Sequence, residues 1–269
     1  MSVKKVLVIR FRRIGDAVLS VVICSSIRKS FPEAEIHYVL NDHIAPLFEN
    51  HPDIDKIITF SDEENNHFFK YLRKVRQLMK TERYDVIIDT RATIKTLWFS
   101  AFSLRTKYRI GTSKFYNHFF HNYRVRNHVN DDLDEVVRNL LLLRPLERER
   151  KLIMTTDFRL FVTEQETAEF KSYMEQKGIN FSRFIVVCTP FTRVAGKAWD
   201  MAKMKEILSR IIQRYGAQLI FNYSRIEKEA ALALYEDMGK DEHIFIDIEA
   251  DSLRKLVSML EIADFFFGN

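Results

Sequence analysis

The stretch Val6-Leu7-Val8-Ile9-Arg10-Phe11-Arg12-Arg13-Ile14-Gly15-Asp16 decides how the rest of this chain is interpreted. Its first five residues form a β-branched, apolar run that predicts a buried strand. Apolar residues at helical spacing follow Asp16, so the stretch predicts a strand that turns on a glycine and delivers an aspartate to a helix N-terminus. This is the opening unit of an open α/β sheet, whose sites form at the carboxyl ends of the strands.

The composition is large enough for two domains, and the mildly positive net charge favours anionic partners. The chain has 269 residues, of which 46% are hydrophobic, enough for two domains with cores of their own. The net charge of +5 suits a protein that meets phosphates or an anionic surface, although many proteins with no such partner are equally basic. Basic residues are concentrated in segments 10–13, 70–83 and 105–126. The last segment is rich in aromatics, which fits nucleic acid, a sugar phosphate or an ordinary packed surface, and we expect no nucleic-acid partner.

The cysteines and the N-terminus indicate a reducing compartment. Cys24 and Cys188 lie inside apolar patterns, which is typical of core thiols. The N-terminus runs directly into a strand without the apolar region and cleavage site of a signal peptide. No segment approaches the roughly 18 uninterrupted apolar residues of a membrane span. We therefore expect a cytoplasmic protein that contacts at most the inner face of the cell membrane.

The pattern of elements predicts an α/β fold with two Rossmann-like domains. The first half alternates strands with helices, and a second α/β series follows a charged segment at 146–163. The predicted domains are 1–150 and 151–269. The predicted strands are 6–10, 35–40, 56–59, 86–89, 108–111, 158–162, 184–189, 218–222, 243–246 and 265–267. The predicted helices are 16–30, 43–49, 66–81, 93–102, 133–143, 163–177, 201–215, 227–238 and 252–262, and residues 112–133 are predicted to be a long loop.

The last residues predict a C-terminal domain that is incomplete. Residues 264–269 have the pattern of a core strand followed by its turn. A parallel strand needs helices over both faces of its sheet, and nothing follows to supply them. The sequence is therefore expected to stop short of the natural end of the domain.

Asp16 has two interpretations of about equal weight. An aspartate at a helix start commonly caps the helix by accepting backbone N–H bonds. Alternatively it is a general base beside the strand end, kept ionised by the helix dipole and effective through its position. The single glycine excludes a GxGxxG fingerprint, so a dinucleotide at this turn is not expected.

A second constellation runs from Thr189 to Trp199 between a predicted strand and helix. Thr189, Thr192, Arg193 and Lys197 would bring hydroxyls, cations and backbone amides to a phosphate. Lys197 does not stand in a P-loop frame, and a polar surface loop explains the same residues.

Two other strand ends carry polar residues. Glu227 follows the predicted strand 218–222, where it would accept ribose hydroxyls or serve as a first-turn acid. Asp89 and Arg91 lie at the end of the strand 86–89, where they would orient a sugar or phosphate or form an ion pair. His118 and His121 lack a third partner, so we expect no metal site. GxSxG and other nucleophile motifs are absent from the sequence.

The quoted N-terminal stretch resembles the opening of the lipopolysaccharide heptosyltransferases of glycosyltransferase family 9. Tyr84-Asp85-Val86-Ile87-Ile88-Asp89-Thr90-Arg91 is similar to that family's fourth-strand motif, and Arg109-Ile110-Gly111 to the stretch that follows it. The segment from Thr189 to Trp199 resembles the family's donor loop, with a lysine two residues before a tryptophan. The similarity extends over essentially the whole chain.

The resemblance implies a GT-B arrangement and an inverting transfer of heptose from ADP-heptose to the lipopolysaccharide inner core, without an essential metal. Its partners would be a nucleotide-sugar donor and an anionic lipid-linked saccharide acceptor, with peripheral membrane contact. Asp16 would be the general base. The residues implied for the donor are Thr189, Thr192, Arg193, Lys197 and Glu227, and those for the acceptor are Arg10, Arg12, Arg13, Gly15, Asp89 and Arg91.

The sequence departs from the family pattern in one respect. The family continues after the last strand with an acidic-x-Gly-x-x-His motif, whereas this sequence stops at Gly268-Asn269. We therefore expect weak or absent transfer from this chain. The alternatives are a GT-B transferase that uses another nucleotide sugar for capsule or O-antigen, and a non-catalytic fragment that only binds.

Overall fold

The computed structural model describes residues 3–11, 13–126, 133–192 and 195–269. The chain divides into two compact units, Met1–Phe161 and Val162–Asn269, whereas the sequence pattern placed the boundary after residue 150. Each unit is an α/β layer structure with a parallel sheet, which confirms the predicted fold class. Over the described residues, no helix is both long enough and apolar enough to cross a membrane.

The sheet of unit 1 contains six strands among the described residues, in the order β3-β2-β1-β4-β5-β6. The strands are β1 Lys5–Ile9, β2 Glu35–Asn41, β3 Lys56–Phe60, β4 Val86–Asp89, β5 Tyr108–Thr112 and β6 Tyr123–Val125. All neighbours are parallel, and Val6 of β1 faces Ile36 of β2 on one side and Val86 of β4 on the other. This order reverses direction at β1, so the end of β1 is the switch point where open sheets bind ligands.

The helices of unit 1 are α1 Ile14–Ser30, α2 Asp62–Asn66, α3 Phe68–Thr81, α4 Leu97–Ala101 and α5 Glu135–Leu141. Short 3₁₀ turns occupy Ala45–Phe48 and Arg144–Arg148. Helix α1 is buried along most of its length, since it packs against both the sheet and α5. Helix α3 buries only Tyr71, Val75 and Met79, a stripe with helical spacing that faces the core beneath β1 and β3.

Several sequence predictions in unit 1 are wrong in detail. The predicted helix 43–49 is instead a short 3₁₀ turn at Ala45–Phe48, with Pro46 in its first turn, where the missing N–H costs no hydrogen bond. The predicted helix 66–81 corresponds to α3 to within two residues, and the extended His67, at φ −101° and ψ 101°, separates it from α2, which the sequence did not predict. The predicted loop 112–133 contains the edge strand β6, which pairs with β5.

The connection between the units has no regular structure, so the predicted strand 158–162 is wrong. Residues 151–163 form neither helix nor strand. The backbone N–H of Ile153 donates to the Ser30 hydroxyl at 2.8 Å, and that of Thr155 donates to the Ser26 hydroxyl at 3.0 Å. These side chains of α1 satisfy amides that a sheet neighbour would otherwise have bound.

The sheet of unit 2 has the order β10-β7-β8-β9 over the described residues, with parallel neighbours throughout. Its strands are β7 Ile185–Thr189, β8 Gln218–Phe221, β9 Ile244–Phe245 and β10 Phe265–Gly268, and its helices are α6 Glu164–Gln176, α7 Met201–Tyr215, α8 Lys228–Asp237 and α9 Leu253–Ile262. The sequence pattern predicted each of these elements to within two residues at either end. The sheet's core residues include Val186, Cys188, Leu219 and Ile220, all fully buried.

Strand β10 differs from the predicted core strand. It pairs with β7 in register, with Phe265 opposite Val186. Phe265 and Phe266, whose side chains point to opposite faces of the sheet, are nevertheless 53% and 51% exposed, so the described residues cover neither face of β10 completely.

Candidate active site

The turn after β1 places Asp16 inside a helix rather than at its cap. Helix α1 begins at Ile14, with Arg13 as N-cap residue at φ 55° and ψ 111°. The sequence predicted that the turn would depend on Gly15, but the residue with positive φ is Arg13. Such a conformation in a non-glycine residue is uncommon and is often found at functional sites. Asp16 lies in the first turn of α1, so its carboxylate is free of the capping role that the sequence left open.

A buried arginine holds the Asp16 carboxylate. The Arg10 guanidinium, whose side chain is 4% exposed, lies 2.7 Å from Asp16 Oδ2 and 3.3 Å from Glu135 Oε1. Arg10 also donates to the Thr90 hydroxyl at 3.4 Å. The Asp16 side chain remains 28% exposed, so its carboxylate is held by Arg10 and is still accessible to solvent. Glu135 was missed by the sequence analysis, because only the packing of α5 on α1 brings it here.

Asp89 at the end of β4 organises the neighbouring loop. Its Oδ1 accepts the backbone N–H groups of Arg91 at 3.2 Å and Ala92 at 2.8 Å, and this turn includes a left-handed Ala92 at φ 48°. Complete burial raises the pKa of Asp89 to about 6, partly offset by its hydrogen bonds and by the charge of Arg10. Asp89 therefore shapes the loop that carries Arg91, as well as adding negative charge near Arg10.

A buried histidine faces the other oxygen of Asp89. His121 Nε2 lies 3.7 Å from Asp89 Oδ2, and neither atom has a hydrogen-bond partner among the residues that the structure describes. Burial lowers the pKa of His121 to about 4, with a further lowering by the charge of Arg109. A Cβ added at Gly111 would lie 2.5 Å from the His121 ring, so the glycine is what lets this ring pack against β5. From the sequence, His121 was considered only as a metal ligand, and it lacked a third partner for that role.

Arg109, the first residue of the stretch Arg109-Ile110-Gly111, stabilises the loops around β5. Its guanidinium donates to the carbonyls of Leu104, Thr106 and Phe120 at 2.6 to 2.7 Å. It thereby ties the strand β5 to the loops on either side of it.

A cavity of about 410 Å³ opens beside these residues in unit 1. It is lined by residues from the ends of β1, β2 and β4 and from α2, and Arg13, Arg91 and His43 are among them. Arg91 is exposed, and the half-buried Lys95 in the lining donates to the backbone oxygen of Asn65 at 2.6 Å and to its Oδ1 at 2.8 Å. Arg13, Arg91 and Lys95 outnumber Asp62, the one carboxylate among the described lining residues, so this switch-point cavity suits an anionic ligand. Arg12 lies outside the described residues.

In unit 2 the loop after β7 is fixed by a residue that the sequence analysis did not single out. Asn269 Oδ1 accepts the N–H of Trp199 at 2.9 Å, and its backbone N–H donates to the Thr189 carbonyl at 3.1 Å. Gly268 allows Thr189 to approach closely, since a Cβ there would lie 1.9 Å from the threonine hydroxyl. Lys197 ends a 3₁₀ turn on this loop and is exposed, as a ligand-binding cation would be.

The remaining predicted donor residues are less closely grouped. Thr192 is partly buried on the same loop, and Arg193 lies outside the described residues. Glu227 forms a capping box: its Oε2 accepts the Ser224 N–H at 2.8 Å and the Ser224 hydroxyl at 2.6 Å. Glu227 thus has the helix-start role that the sequence allowed.

A second cavity, of about 290 Å³, lies at the end of β8 in unit 2. Its polar lining comprises Asn222, Arg225, Lys228, Glu249 and Asp251. Carboxylates beside amides and cations are groups that bind sugar hydroxyls and phosphates. The two carboxylates come from the segment after β9, which has no recognisable motif that would have predicted a site there. Among the described residues, no cluster of three or more His, Cys, Asp or Glu side chains is arranged to hold a metal ion.

Comparison with known proteins gives consistent matches. The chain is 26% identical over 216 residues to lipopolysaccharide heptosyltransferase 3 of Escherichia coli K12, covering 77% of this chain and 59% of that relative's length. A family 9 glycosyltransferase structure from Veillonella parvula matches all of this chain and 75% of its own, with a TM-score of 0.85 at 15% identity. The E. coli heptosyltransferase WaaC with ADP-2-deoxy-2-fluoro heptose matches 98% of this chain and 82% of its own, with a TM-score of 0.71 at 16% identity.

The two structural likenesses concern the fold alone at these identities. The family assignment rests on a separate match, to the sequence model of glycosyltransferase family 9 (heptosyltransferase), which covers residues 72–269. This range includes Asp89, Gly111 and the whole loop from Thr189 to Trp199. With most of its length matching that model, the chain belongs to glycosyltransferase family 9.

Proposed function

We propose that this protein is an inverting heptosyltransferase that moves heptose from ADP-heptose to a lipid-linked saccharide acceptor of the lipopolysaccharide inner core. The observation that carries the proposal is the ion pair between the buried Arg10 and Asp16 beyond the end of β1. The Asp16 carboxylate is partly exposed and does not cap α1. Membership of family 9 and the heptosyltransferase relative support the reaction class. The WaaC structure with an ADP-heptose analogue supports the donor. The site of action would be the cytoplasm.

In this reaction the acceptor hydroxyl attacks the anomeric carbon of the heptose from the face opposite the diphosphate. The new C–O bond forms as the bond to the diphosphate oxygen breaks, and the hydroxyl proton passes to Asp16. ADP leaves with the bonding electron pair. Arg10 keeps the carboxylate in place for the transfer, in which positioned general-base catalysis contributes roughly 10²–10⁴-fold.

The donor would be held by unit 2 and the acceptor by unit 1. Lys197 would balance the charge of the leaving diphosphate, with Thr189, Thr192 and Arg193 on the same loop. Glu227 would reach a ribose hydroxyl with Oε1, the oxygen that the capping box leaves over. Arg13, Arg91 and the cavity beside them would face anionic groups of the acceptor, with Arg12 and Gly15 close by in sequence. The proposal requires no metal, because Lys197 supplies the positive charge.

The test measures heptose transfer to a purified inner-core acceptor by its mass shift, together with calorimetric binding of ADP-heptose. We expect Asp16→Asn to lower kcat about 100-fold or more while the donor Kd is unchanged. We expect Lys197→Gln to weaken donor binding by about tenfold, the effect of losing one charge-assisted contact. Asp237→Asn, which changes an exposed aspartate paired with Lys205 on the surface of unit 2, is the matched control and should behave as the unaltered chain.

Three results would contradict parts of the proposal. Undiminished transfer by Asp16→Asn would remove Asp16 as the base. Greater thermal stabilisation by UDP or GDP sugars than by ADP-heptose would replace the donor and favour a capsule or O-antigen enzyme. Donor binding without any transfer would identify this chain as a fragment that only binds.

A further inference from the structure

One face of α3 carries a row of arginine and lysine side chains that the proposed reaction does not use. Arg73, Arg76 and Lys80 are spaced by three and four residues, so they line one side of the helix. The core-facing stripe of α3 lies on another side, at Tyr71, Val75 and Met79. All three basic residues are exposed. The row is therefore a solvent-facing surface and makes no contribution to the core.

Arg83 and Arg105 extend this row beyond the end of the helix. Both are exposed, and with Lys80 they line a cavity of about 610 Å³ between the C-terminus of α3 and the loop after α4. Its lining also includes Phe102 and Leu104, and none of its described lining residues has a carboxylate side chain. We refer to Arg73, Arg76, Lys80, Arg83 and Arg105 together as the basic surface.

The basic surface lacks the acidic partners that neighbouring cations have. Lys70 and Lys74 on another side of α3 pair with Glu63 and Glu64. Within the described parts of the chain, no residue of the basic surface takes part in an ion pair. Five uncompensated positive charges on one surface are costly by mutual repulsion, and this cost is relieved by an anionic partner.

Aromatic and aliphatic side chains accompany the charges. Phe69, one turn before Arg73, is 83% exposed, and Leu104 is 59% exposed. Phe68 contacts both Phe69 and Trp98, with ring centroids 5.6 and 6.2 Å apart, and Trp98 contacts Phe102 at 5.7 Å. A continuous band of rings thus crosses from α3 to α4 alongside the cations.

We propose that the basic surface, with Phe69 and Leu104, docks this protein on the surface of an anionic phospholipid bilayer. Cations beside projecting apolar side chains are the combination that binds such an interface: the charges meet the phosphates while the rings enter the headgroup boundary. The cavity of Lys80, Arg83 and Arg105 has the size and the mixed lining to take one lipid headgroup.

The topology places one end of this surface at the same edge of the sheet as the candidate site of unit 1. Helix α3 follows β3, so Phe68 lies at the carboxyl edge of the sheet, the edge that also carries Arg10, Asp16 and Asp89. Lys80, Arg83 and Arg105 lie toward the opposite, amino edge, since Arg83 precedes β4 and Arg105 precedes β5. A bilayer that covers the whole of α3 would therefore extend from that amino edge to the edge where the candidate site of unit 1 opens. The inference goes beyond the proposed reaction, and it does not depend on which sugar is transferred.

Nucleic acid is the competing anionic partner. Single-stranded binding uses aromatic faces lined up along a basic groove, on which successive bases stack. In the ring band here, Phe68 meets Phe69 and Trp98 edge to face, at interplanar angles of 72° and 70°, and Trp98 and Phe102 are tilted by 30°. A band in which two of three contacts are edge to face is not a run of parallel faces for stacking, so the bilayer is favoured.

The test is co-sedimentation of the full chain with vesicles that contain no saccharide acceptor, so its outcome is independent of the proposed transferase activity. We expect binding to vesicles of phosphatidylglycerol and phosphatidylcholine at about 0.1 M salt, where the Debye length is about 10 Å, and loss of binding near 1 M. The triple variant Arg73→Gln/Arg76→Gln/Lys80→Gln should bind on the order of a hundredfold more weakly, from about fivefold for each cation. Phe69→Ser should bind severalfold more weakly with the same salt dependence.

The control removes the same charge elsewhere. Lys171→Gln/Arg210→Gln/Arg214→Gln changes three exposed helix positions of unit 2 and should bind vesicles as the unaltered chain does. Equal losses in the two triple variants would overturn the proposal, and so would equal binding to pure phosphatidylcholine. Tighter binding of a single-stranded oligonucleotide through the same three residues would overturn it in favour of nucleic acid. Circular dichroism of each variant verifies that the helices are retained.

Discussion

The buried pair of Asp89 and His121 predicts a pH dependence of stability that reverses when His121 is removed and becomes steeper when Asp89 is removed. Burial raises the pKa of Asp89 from an ordinary value of 3.8 to about 6. The folded protein therefore binds this proton more tightly than the unfolded chain does. Stability associated with the proton is present at low pH and is lost as the pH rises from about 4 to 6. Between pH 5 and 7 the loss is about 1 kcal/mol.

His121 acts in the opposite direction. Burial lowers its pKa from 6.5 to about 4, so the unfolded chain takes up a proton that the folded chain excludes. Stability is then complete above pH 6.5 and is lost as the pH falls toward 4. Between pH 5 and 7 it rises by about 2 kcal/mol. In the unaltered chain the two contributions overlap in pH and largely cancel.

Substituting one partner exposes the contribution of the other. Relative to the unaltered chain, His121→Asn should reduce the change in unfolding free energy from pH 5 to pH 7 by about 2 kcal/mol. Asp89→Asn should increase that change by about 1 kcal/mol. Comparing differences in this way removes the background from other titrating groups, which is the same in all three proteins.

The assay is urea unfolding at the two pH values in a Trp199→Phe background. The chain has two tryptophans, so the fluorescence of the remaining Trp98 reports unit 1 alone. The matched control is His118→Asn, an exposed histidine in the same segment, which should retain the pH dependence of the background protein. If His121→Asn and His118→Asn behave alike, the reasoning about burial of the pair is refuted.

Two glycines give further predictions that test packing against ligand access. At Gly15 an added Cβ meets no described atom within 4 Å, so Gly15→Ala should stabilise α1 by about 0.5–1 kcal/mol. If a substrate approaches Asp16 over this glycine, the same variant should lower kcat/KM in the transfer assay. Unchanged kcat/KM would mean that nothing approaches there. At Gly111 the added Cβ meets the buried His121 ring at 2.5 Å, so Gly111→Ala should destabilise unit 1 by about 1–3 kcal/mol in thermal unfolding. The loss should shrink when His121→Ala is added, and an undiminished loss in the double variant would show that the ring is not the obstacle.

The hydrophobic pattern predicted most elements because burial is periodic along the chain. The strands β1, β4 and β7 are short β-branched runs buried on both faces, which local sequence reveals. The predictions failed where a tertiary contact replaced the local preference. Strand β6 forms only because β5 offers an unpaired edge, and residues 151–163 stay irregular because Ser26 and Ser30 bind their amides.

The candidate site divides in the same way between sequence and tertiary structure. By itself the sequence determined that polar residues follow β1, β4 and β7, since strand ends and their successors are adjacent in the chain, and it singled out Asp16, Asp89 and the loop of Lys197. Only the tertiary structure decided that Arg10 holds Asp16, that Glu135 joins them, and that His121 is buried against Asp89. These contacts join residues up to 125 positions apart, and their distances, burial and pKa shifts depend on how the helices pack on the sheet. That packing is a property of the assembled layers, which no short stretch of sequence contains.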